Sequence, residues 1–270
     1  MLNNAHKQEY TPLLELNECR HGHFLYFPHD FYIGGALHTY GEYAEIECAF
    51  LCKMLAEGST VVEAGANIGT LTLGMAKKIG MSGRIYAYEP QRIIFNMLCA
   101  NVALNGAWQI HAKHAALGAA QTKLGVPPVD YTQPGNFGGV ALSYTATPEM
   151  VDVFTIDSLE LPQCRLIKAD VQGMESVVLA GALHTIARCK PFLYLENDDD
   201  TDDLPRTMRE LGYDIYEHKT PLFNPNNYRD IKQNHYANVV SYNLLGVPHE
   251  FRDYVKVELK PWKFKTGDAR

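Results

Sequence analysis

The stretch Thr60-Val61-Val62-Glu63-Ala64-Gly65-Ala66-Asn67-Ile68-Gly69-Thr70 constrains the fold more than any other part of the chain. A short β-branched run ends in an acid, and a Gly-x-Asn-x-Gly turn then opens a helical pattern through Leu71, Leu73, Met75, Ala76 and Ile79. This reads as strand, tight turn, helix. Glycine at such a turn lets backbone approach a ligand closely, and the helix N-terminus leaves N–H groups facing it. A second strand, Arg84-Ile85-Tyr86-Ala87-Tyr88, ends in Glu89-Pro90, and a carboxylate there can accept both hydroxyls of a ribose. Turn plus distal acid predicts a nucleoside-bearing cofactor on a doubly wound α/β sheet.

The acid before the turn narrows the choice. A dinucleotide site usually reads Gly-x-Gly-x-x-Gly and aims its helix dipole at a pyrophosphate. Here Glu63 would repel a pyrophosphate and suit a cation. S-adenosylmethionine carries a sulfonium and an ammonium beside its ribose, so the pattern favours it. Candidate cofactor contacts are Glu63, Ala64, Gly65, Asn67, Gly69 and Thr70, then Glu89 and Pro90. Trp108 to Leu117 reads as the third strand; Ala116 at its end leaves room for an adenine ring, or is ordinary strand-end packing.

These segments, with Asn101-x-x-x-Asn105-Gly106, Ile167-Lys168-Ala169-Asp170-Val171-Gln172-Gly173-x-Glu175 and Pro191-x-x-x-x-Glu196, resemble the FkbM-type methyltransferases over roughly Gly41 to Val247. The resemblance implies a Rossmann-like, seven-stranded class I methyltransferase sheet and S-adenosylmethionine as cofactor. It places Tyr40, Gly41 and Tyr43 over the cofactor, and implies O-methylation of sugars, polyketides or peptide-derived metabolites. The family's usual Glu is replaced here by Gln172.

Three units are expected: an N-terminal cap over 1–41, a methyltransferase domain over 42–248 and a C-terminal tail over 249–270. In the cap, Phe24 to Pro28 and Phe31 to Gly35 read as short strands. Glu42 to Ala56 reads as an amphipathic helix. Gly118 to Asp152 reads as a hairpin insertion carrying a mobile loop at Pro127 to Gly138, followed by an edge strand at Val151 to Asp157. Arg165 to Val171 and Phe192 to Glu196 are the next two strands. The acidic run Asn197 to Asp203 reads as a solvated loop and helix start. The polar loop His218 to His235 is expected to face the substrate. The tail alternates aromatic and basic residues, including Tyr254, Lys256, Trp262 and Phe264, and is expected to pack on the domain or on a partner chain.

An alcohol acceptor must lose its proton as it attacks, which needs a carboxylate or imidazole in reach. Asp170, at the sheet's C-terminal edge, is the first candidate catalytic residue; Glu175 and His235 follow. A structural role for Asp170, or a contact to the cofactor's ammonium, is the alternative. No metal is expected, although Asp170, Glu196 and Asn197 form a possible oxygen set for a hard cation.

The formal charge of −7 over 270 residues argues against a polyanionic partner. The expected partner is a small-molecule, glycan or peptide-derived acceptor, without nucleic acid or membrane; homo-oligomerisation is left open. Met1 to Glu9 contains no secretory pattern, no stretch approaches a membrane span, and the expected compartment is cytoplasmic. Cys19, Cys48, Cys52, Cys99, Cys164 and Cys189 form no C-x-x-C pair. Cys48 and Cys52, four apart, look like half a metal site, but no His stands at ligand spacing and they read as reduced thiols. His21, His23, His29 and His38 likewise match no metal pattern and read as surface or pocket residues. Competing readings are an NAD-dependent oxidoreductase and a cofactor-binding protein without catalysis.

Overall fold

The structure is a computed structural model and describes residues 13–145, 147–197, 201–254 and 259–265. The readings of Met1 to Glu9, of Asp198 to Asp200 and of Lys256 lie outside these residues.

A hairpin of β1 (Glu15–Cys19) and β2 (Gly22–Tyr26) begins the described chain, followed by α1 (Ile33–Tyr40) and α2 (Glu45–Lys53). The expected strand at Phe31 to Gly35 is therefore the start of a helix. Asp30 decides this, because its carboxylate accepts the N–H groups of Tyr32 and Gly34 and caps the turn. Then come β3 (Thr60–Ala64), α3 (Thr70–Ile79), β4 (Arg84–Tyr88), α4 (Arg92–Leu104) and β5 (Ile110–Lys113). The predicted third strand breaks after Lys113. Its continuation, β6 (Ala116–Leu117), leaves the main sheet and pairs with β8 (Glu149–Phe154), which also pairs with β7 (Thr122–Val126). β8 is thus the middle of a small three-stranded sheet rather than an edge.

The remaining elements are β9 (Leu166–Ala169), α5 (Glu175–Ala180), α6 (Leu183–Cys189), β10 (Phe192–Glu196), α7 (Asp203–Glu210), β11 (Tyr213–Pro221), β12 (Val240–Pro248) and β13 (Lys260–Pro261). The main sheet runs β13-β11-β12-β10-β9-β3-β4-β5. From β5 to β10 it is parallel, and β12 enters antiparallel between β10 and β11. Seven strands make the expected doubly wound sheet; the eighth is a two-residue strand from the tail. Strands β3, β9 and β10 are almost wholly buried because helices cover both faces. One apolar cluster lies under α2, α3 and α4, a second under α5, α6 and α7, and a third, smaller one in the three-stranded sheet.

Two polar side chains fix the cap. Asn101 on α4 accepts the N–H of Leu25 and donates to the carbonyl of Ile68, so one buried amide joins the hairpin to the turn after β3. Asn105 accepts the N–H of His23 one turn later. At the other end, Trp262 donates its indole N–H to Asp202 at 3.0 Å, holding the tail against the domain.

Candidate active site

A cavity of about 350 Å³ opens at the C-terminal ends of β3, β4, β9 and β10. Such folds bind ligands here because the strand order reverses between β3 and β9, leaving a crevice between divergent loops. The turn after β3 forms one wall. Gly65 takes φ +77°, and a Cβ there would lie 2.0 Å from the Asp170 carbonyl oxygen. The glycine is therefore required by the neighbouring strand end as well as by any ligand. Gly69 takes φ +89° as the residue before α3, and its missing Cβ makes room for Leu98; it does not line the cavity.

Glu89 closes the opposite wall. Its two carboxylate oxygens each accept one backbone N–H, from Asn67 at 2.9 Å and from Gln91 at 2.8 Å. Each oxygen keeps a further acceptor direction, which is what a pair of ribose hydroxyls needs. Burial pushes this carboxyl up to about 7, against the pull of those two N–H groups. Gln91 in turn donates to the Phe137 carbonyl and accepts from the Tyr131 hydroxyl, both at 2.8 Å. The segment expected to be mobile is thereby anchored. Tyr131 and Phe137 pack with Phe27 and His29 as an aromatic cluster, while Asn136, Gly138 and Gly139 reach the cavity.

The floor is acidic. Among the described residues, the carboxylates lining it are Glu47, Glu63, Glu89, Asp170 and Glu196, against one basic side chain, Lys168. Lys168 is 2% exposed and stands 3.9 Å from Glu63 Oε1 and 3.7 Å from Asp170 Oδ2. Burial works against its ammonium, but Asp170, Glu63, Glu47 and Glu196 together outweigh burial and raise it. Burial raises Glu47 to about 7 and also raises Glu63, in both cases against the attraction of Lys168. Glu63 accepts the Thr72 hydroxyl at 2.7 Å. Its charge is thus already answered from within, so the cationic preference comes from the excess of acids and not from Glu63 alone.

Of the expected cofactor contacts, Tyr43, Glu63, Ala64, Gly65, Asn67, Thr70, Glu89, Pro90, Ala116 and Asp170 all line this cavity. The expected catalytic residues separate. Asp170 lines the cavity and its side chain is 43% exposed. Glu175 instead turns back to accept the Val171 N–H at 3.0 Å, bracing the loop that follows β9. His235 is exposed on the far part of its loop, beside Tyr40, and does not line the cavity. That loop lies against the end of the cap and Glu42, which accepts the Asn224 amide and the Tyr228 N–H; among the described residues its stems, Thr220 to Leu222 and Val239 to Ser241, line the cavity.

The possible metal set does not converge either. Glu196 faces the cavity, whereas Asn197 lines a separate hollow with Glu217, Lys219 and Trp262. Between Asp170 and Glu196 lies the Gln172 amide, which donates to Glu196 Oε2 at 3.0 Å and to Asp170 Oδ1 at 3.5 Å. Gln172 takes φ +54°, an uncommon conformation for a side-chain-bearing residue, held by these contacts.

Sequence reasoning missed Lys168, Glu47 and Gln91 as cavity residues. Glu47 stands in the first turn of α2, where an acid is ordinary, but a lysine among the apolar residues of the strand Leu166–Ala169 was a signal for the first. Charged side chains in such places are rare unless they are paired. Gln91 carried no such signal.

The donor set suits S-adenosylmethionine. A crevice with five acids and one lysine attracts a sulfonium and an ammonium and repels a pyrophosphate. Sheet order and site together define a class I, S-adenosylmethionine-dependent methyltransferase. Residues 63–215 match the description Methyltransferase FkbM domain. The chain belongs to that family, and its cofactor is S-adenosylmethionine.

Similar solved structures include a methyltransferase FkbM from Methylobacillus flagellatus KT, with 20% identity, 71% of this chain covered and a TM-score of 0.47. The match spans 44% of that chain's length. An S-adenosylmethionine-dependent O-methyltransferase from Thermotoga maritima has 12% identity, covering 87% of this chain and 77% of its own, with a TM-score of 0.47. A precorrin-6y C5,15-methyltransferase from Geobacter metallireducens GS-15 has 12% identity, covering 74% and 86%, with a TM-score of 0.49. No curated protein matches the chain significantly. Among the described residues, no helix is long and apolar enough to cross a membrane.

Proposed function

We propose that this enzyme methylates a hydroxyl of a small molecule, glycan or peptide-derived metabolite, and that Asp170 receives the hydroxyl proton. The observation that supports this reading is the position of Asp170. It is the half-exposed carboxylate of the acidic cavity, held between Lys168 and Gln172 at the end of β9.

Glu89, the Gly65–Asn67 turn and the small residues Ala115 and Ala116 would hold the nucleoside part of S-adenosylmethionine. When bound, the cofactor supplies an electrophilic methyl on sulfur, which the acceptor oxygen displaces while the sulfur keeps the bonding pair. The protein's part is alignment, exclusion of water and removal of one proton. Lys168 Nζ, 3.7 Å from Asp170 Oδ2, orients it, and the Gln172 amide holds it beside Glu196. An acidic wall suits a neutral or cationic acceptor and disfavours nucleic acid or an anionic lipid surface.

The test is methyl transfer from labelled S-adenosylmethionine to a panel of hydroxylated and of amine-bearing acceptors, with Asp170→Asn in parallel. Turnover on a hydroxyl is expected, and Asp170→Asn should lower it by about a hundredfold or more while S-adenosylhomocysteine binding changes little. Turnover confined to amines would overturn O-methylation. Equal turnover by Asp170→Asn would remove Asp170 as the base.

A further inference from the structure

Away from the cavity, three side chains with metal-binding chemistry meet, with a fourth close by, where the cap hairpin packs against α2 and α3. His21, from the turn between β1 and β2, brings Nε2 to 2.6 Å from Glu45 Oε2 and 3.5 Å from Cys48 Sγ. The three ligand atoms all lie within 4.8 Å of one another, and Cys48 is buried. Cys52, one helical turn beyond Cys48, donates its thiol to the Gly74 carbonyl at 3.7 Å and reaches the cluster by rotation of its side chain. The helix supplies Glu45, Cys48 and Cys52 at i, i+3 and i+7, so all three project from one face. The missing partner at sequence level, a histidine, comes from a segment more than twenty residues earlier.

We propose that His21, Glu45, Cys48 and Cys52 form a structural zinc site that clasps the N-terminal cap to the methyltransferase domain. Imidazole, carboxylate and thiolate are the ligands that zinc takes, and four protein ligands make a closed tetrahedral site without a catalytic role. Zinc bonds of about 2.0–2.3 Å place neighbouring ligand atoms roughly 3.3–3.8 Å apart. The Cys48–His21 separation already has that value. The His21–Glu45 contact is a hydrogen bond and widens on binding by rotation of two side chains.

One further feature favours a built site. A Cβ on Gly74 of α3 would lie 2.2 Å from Cys48 Sγ and 3.3 Å from His21 Nε2, so glycine is what leaves space against the cluster. Binding displaces the thiol protons of Cys48 and Cys52 to solvent and leaves two thiolates on zinc. Arg20, 3.8 Å from Glu45 Oε2, remains a neighbour of that carboxylate. The site would set the position of α2, whose Glu47 enters the cavity.

The test uses the full chain with zinc alone, in the absence of cofactor and acceptor, so its failure leaves the methyltransferase reading intact. After zinc loading and dialysis, about one tightly held equivalent is expected, and cobalt in its place should show thiolate-to-metal charge-transfer absorption. His21→Ala and Cys48→Ser should each weaken zinc by on the order of a hundredfold or more. Because Cys48→Ser acts in the core, the unaltered protein is also probed by thiol alkylation. Zinc should protect Cys48 and Cys52 but not the exposed Cys99. The proposal fails if less than roughly 0.1 equivalent is held. It fails equally if Cys52 alkylates at one rate with and without zinc, or if Asp170→Asn, and not His21→Ala, removes the metal.

Discussion

A Cβ on Gly65 would lie 2.0 Å from the carbonyl oxygen of Asp170, so the turn that shapes the nucleoside wall and the strand end that carries the candidate base touch through bare backbone. Moving either one moves the other. Gly65→Ala meets both this clash and a φ of +77°. It is expected to destabilise the fold by about 2–4 kcal/mol and to weaken S-adenosylhomocysteine by tenfold or more. Gly173→Ala, with φ +88° and open space around its Cβ, should cost only about 1 kcal/mol. Thermal unfolding with calorimetry of the two variants checks the contrast.

Removing the buried cation should be costly. Lys168→Met leaves Glu63 and Asp170 facing each other across the site without the ammonium between them. A loss of about 3–5 kcal/mol is expected, partly restored by adding Glu63→Gln. Denaturant unfolding of the single and double variants would show the restoration, and its absence would mean that Lys168 acts through packing alone.

Glu47 and Glu89 make stability fall as pH rises. Burial raises both to about 7, above their unfolded values, so between roughly pH 4.5 and 7 the folded chain holds protons that the unfolded chain has released. Their contribution is complete below that window and lost as pH climbs through it. Glu47→Gln should therefore gain stability relative to the unaltered protein at pH 8, by on the order of 1–3 kcal/mol, with little gain at pH 4.5. A difference in melting point that is the same at both pH values would contradict the assignment.

The same two carboxyls link cofactor binding to protons. A cationic ligand favours their ionised forms, so S-adenosylmethionine should bind more tightly at pH 7.5 than at pH 6 and release protons as it binds. S-adenosylhomocysteine, which lacks the sulfonium, should show a weaker dependence. Calorimetry in buffers of different ionisation enthalpy measures the released protons directly.

Gln172 holds two acids together where a third acid would need a cation. Gln172→Glu replaces the amide donor with a carboxylate between Asp170 and Glu196. It should lower the melting point in chelator and recover most of the loss in millimolar manganese or magnesium, which accept such oxygen sets. A loss that no divalent ion reverses would show that the acids do not converge closely enough.

Local sequence determined the central architecture. Thr60 to Thr70 and Arg84 to Pro90 specify strand, turn, helix and strand by β-branched runs, glycine spacing and helical periodicity, all of which act within a few residues. The cofactor wall follows from those same residues and was legible for that reason. Its acidic character was visible as Glu63, although the acid was credited with a role that the whole floor shares.

What tertiary structure alone decided are the contacts between segments far apart in the chain. The pairing of Ala116 and Leu117 with β8 ended at Lys113 a strand that pattern alone would have continued. Glu175 and His235 carried suitable chemistry, yet packing directed one toward the Val171 N–H and the other to the surface. Conversely, Lys168 and Glu47 entered the cavity, and His21 reached Cys48 across 27 residues, because burial makes each charged or ligating group find a partner wherever the fold supplies one. Hydrophobic periodicity encodes which face of an element is inside. Which polar group it meets there is set only when the elements are packed.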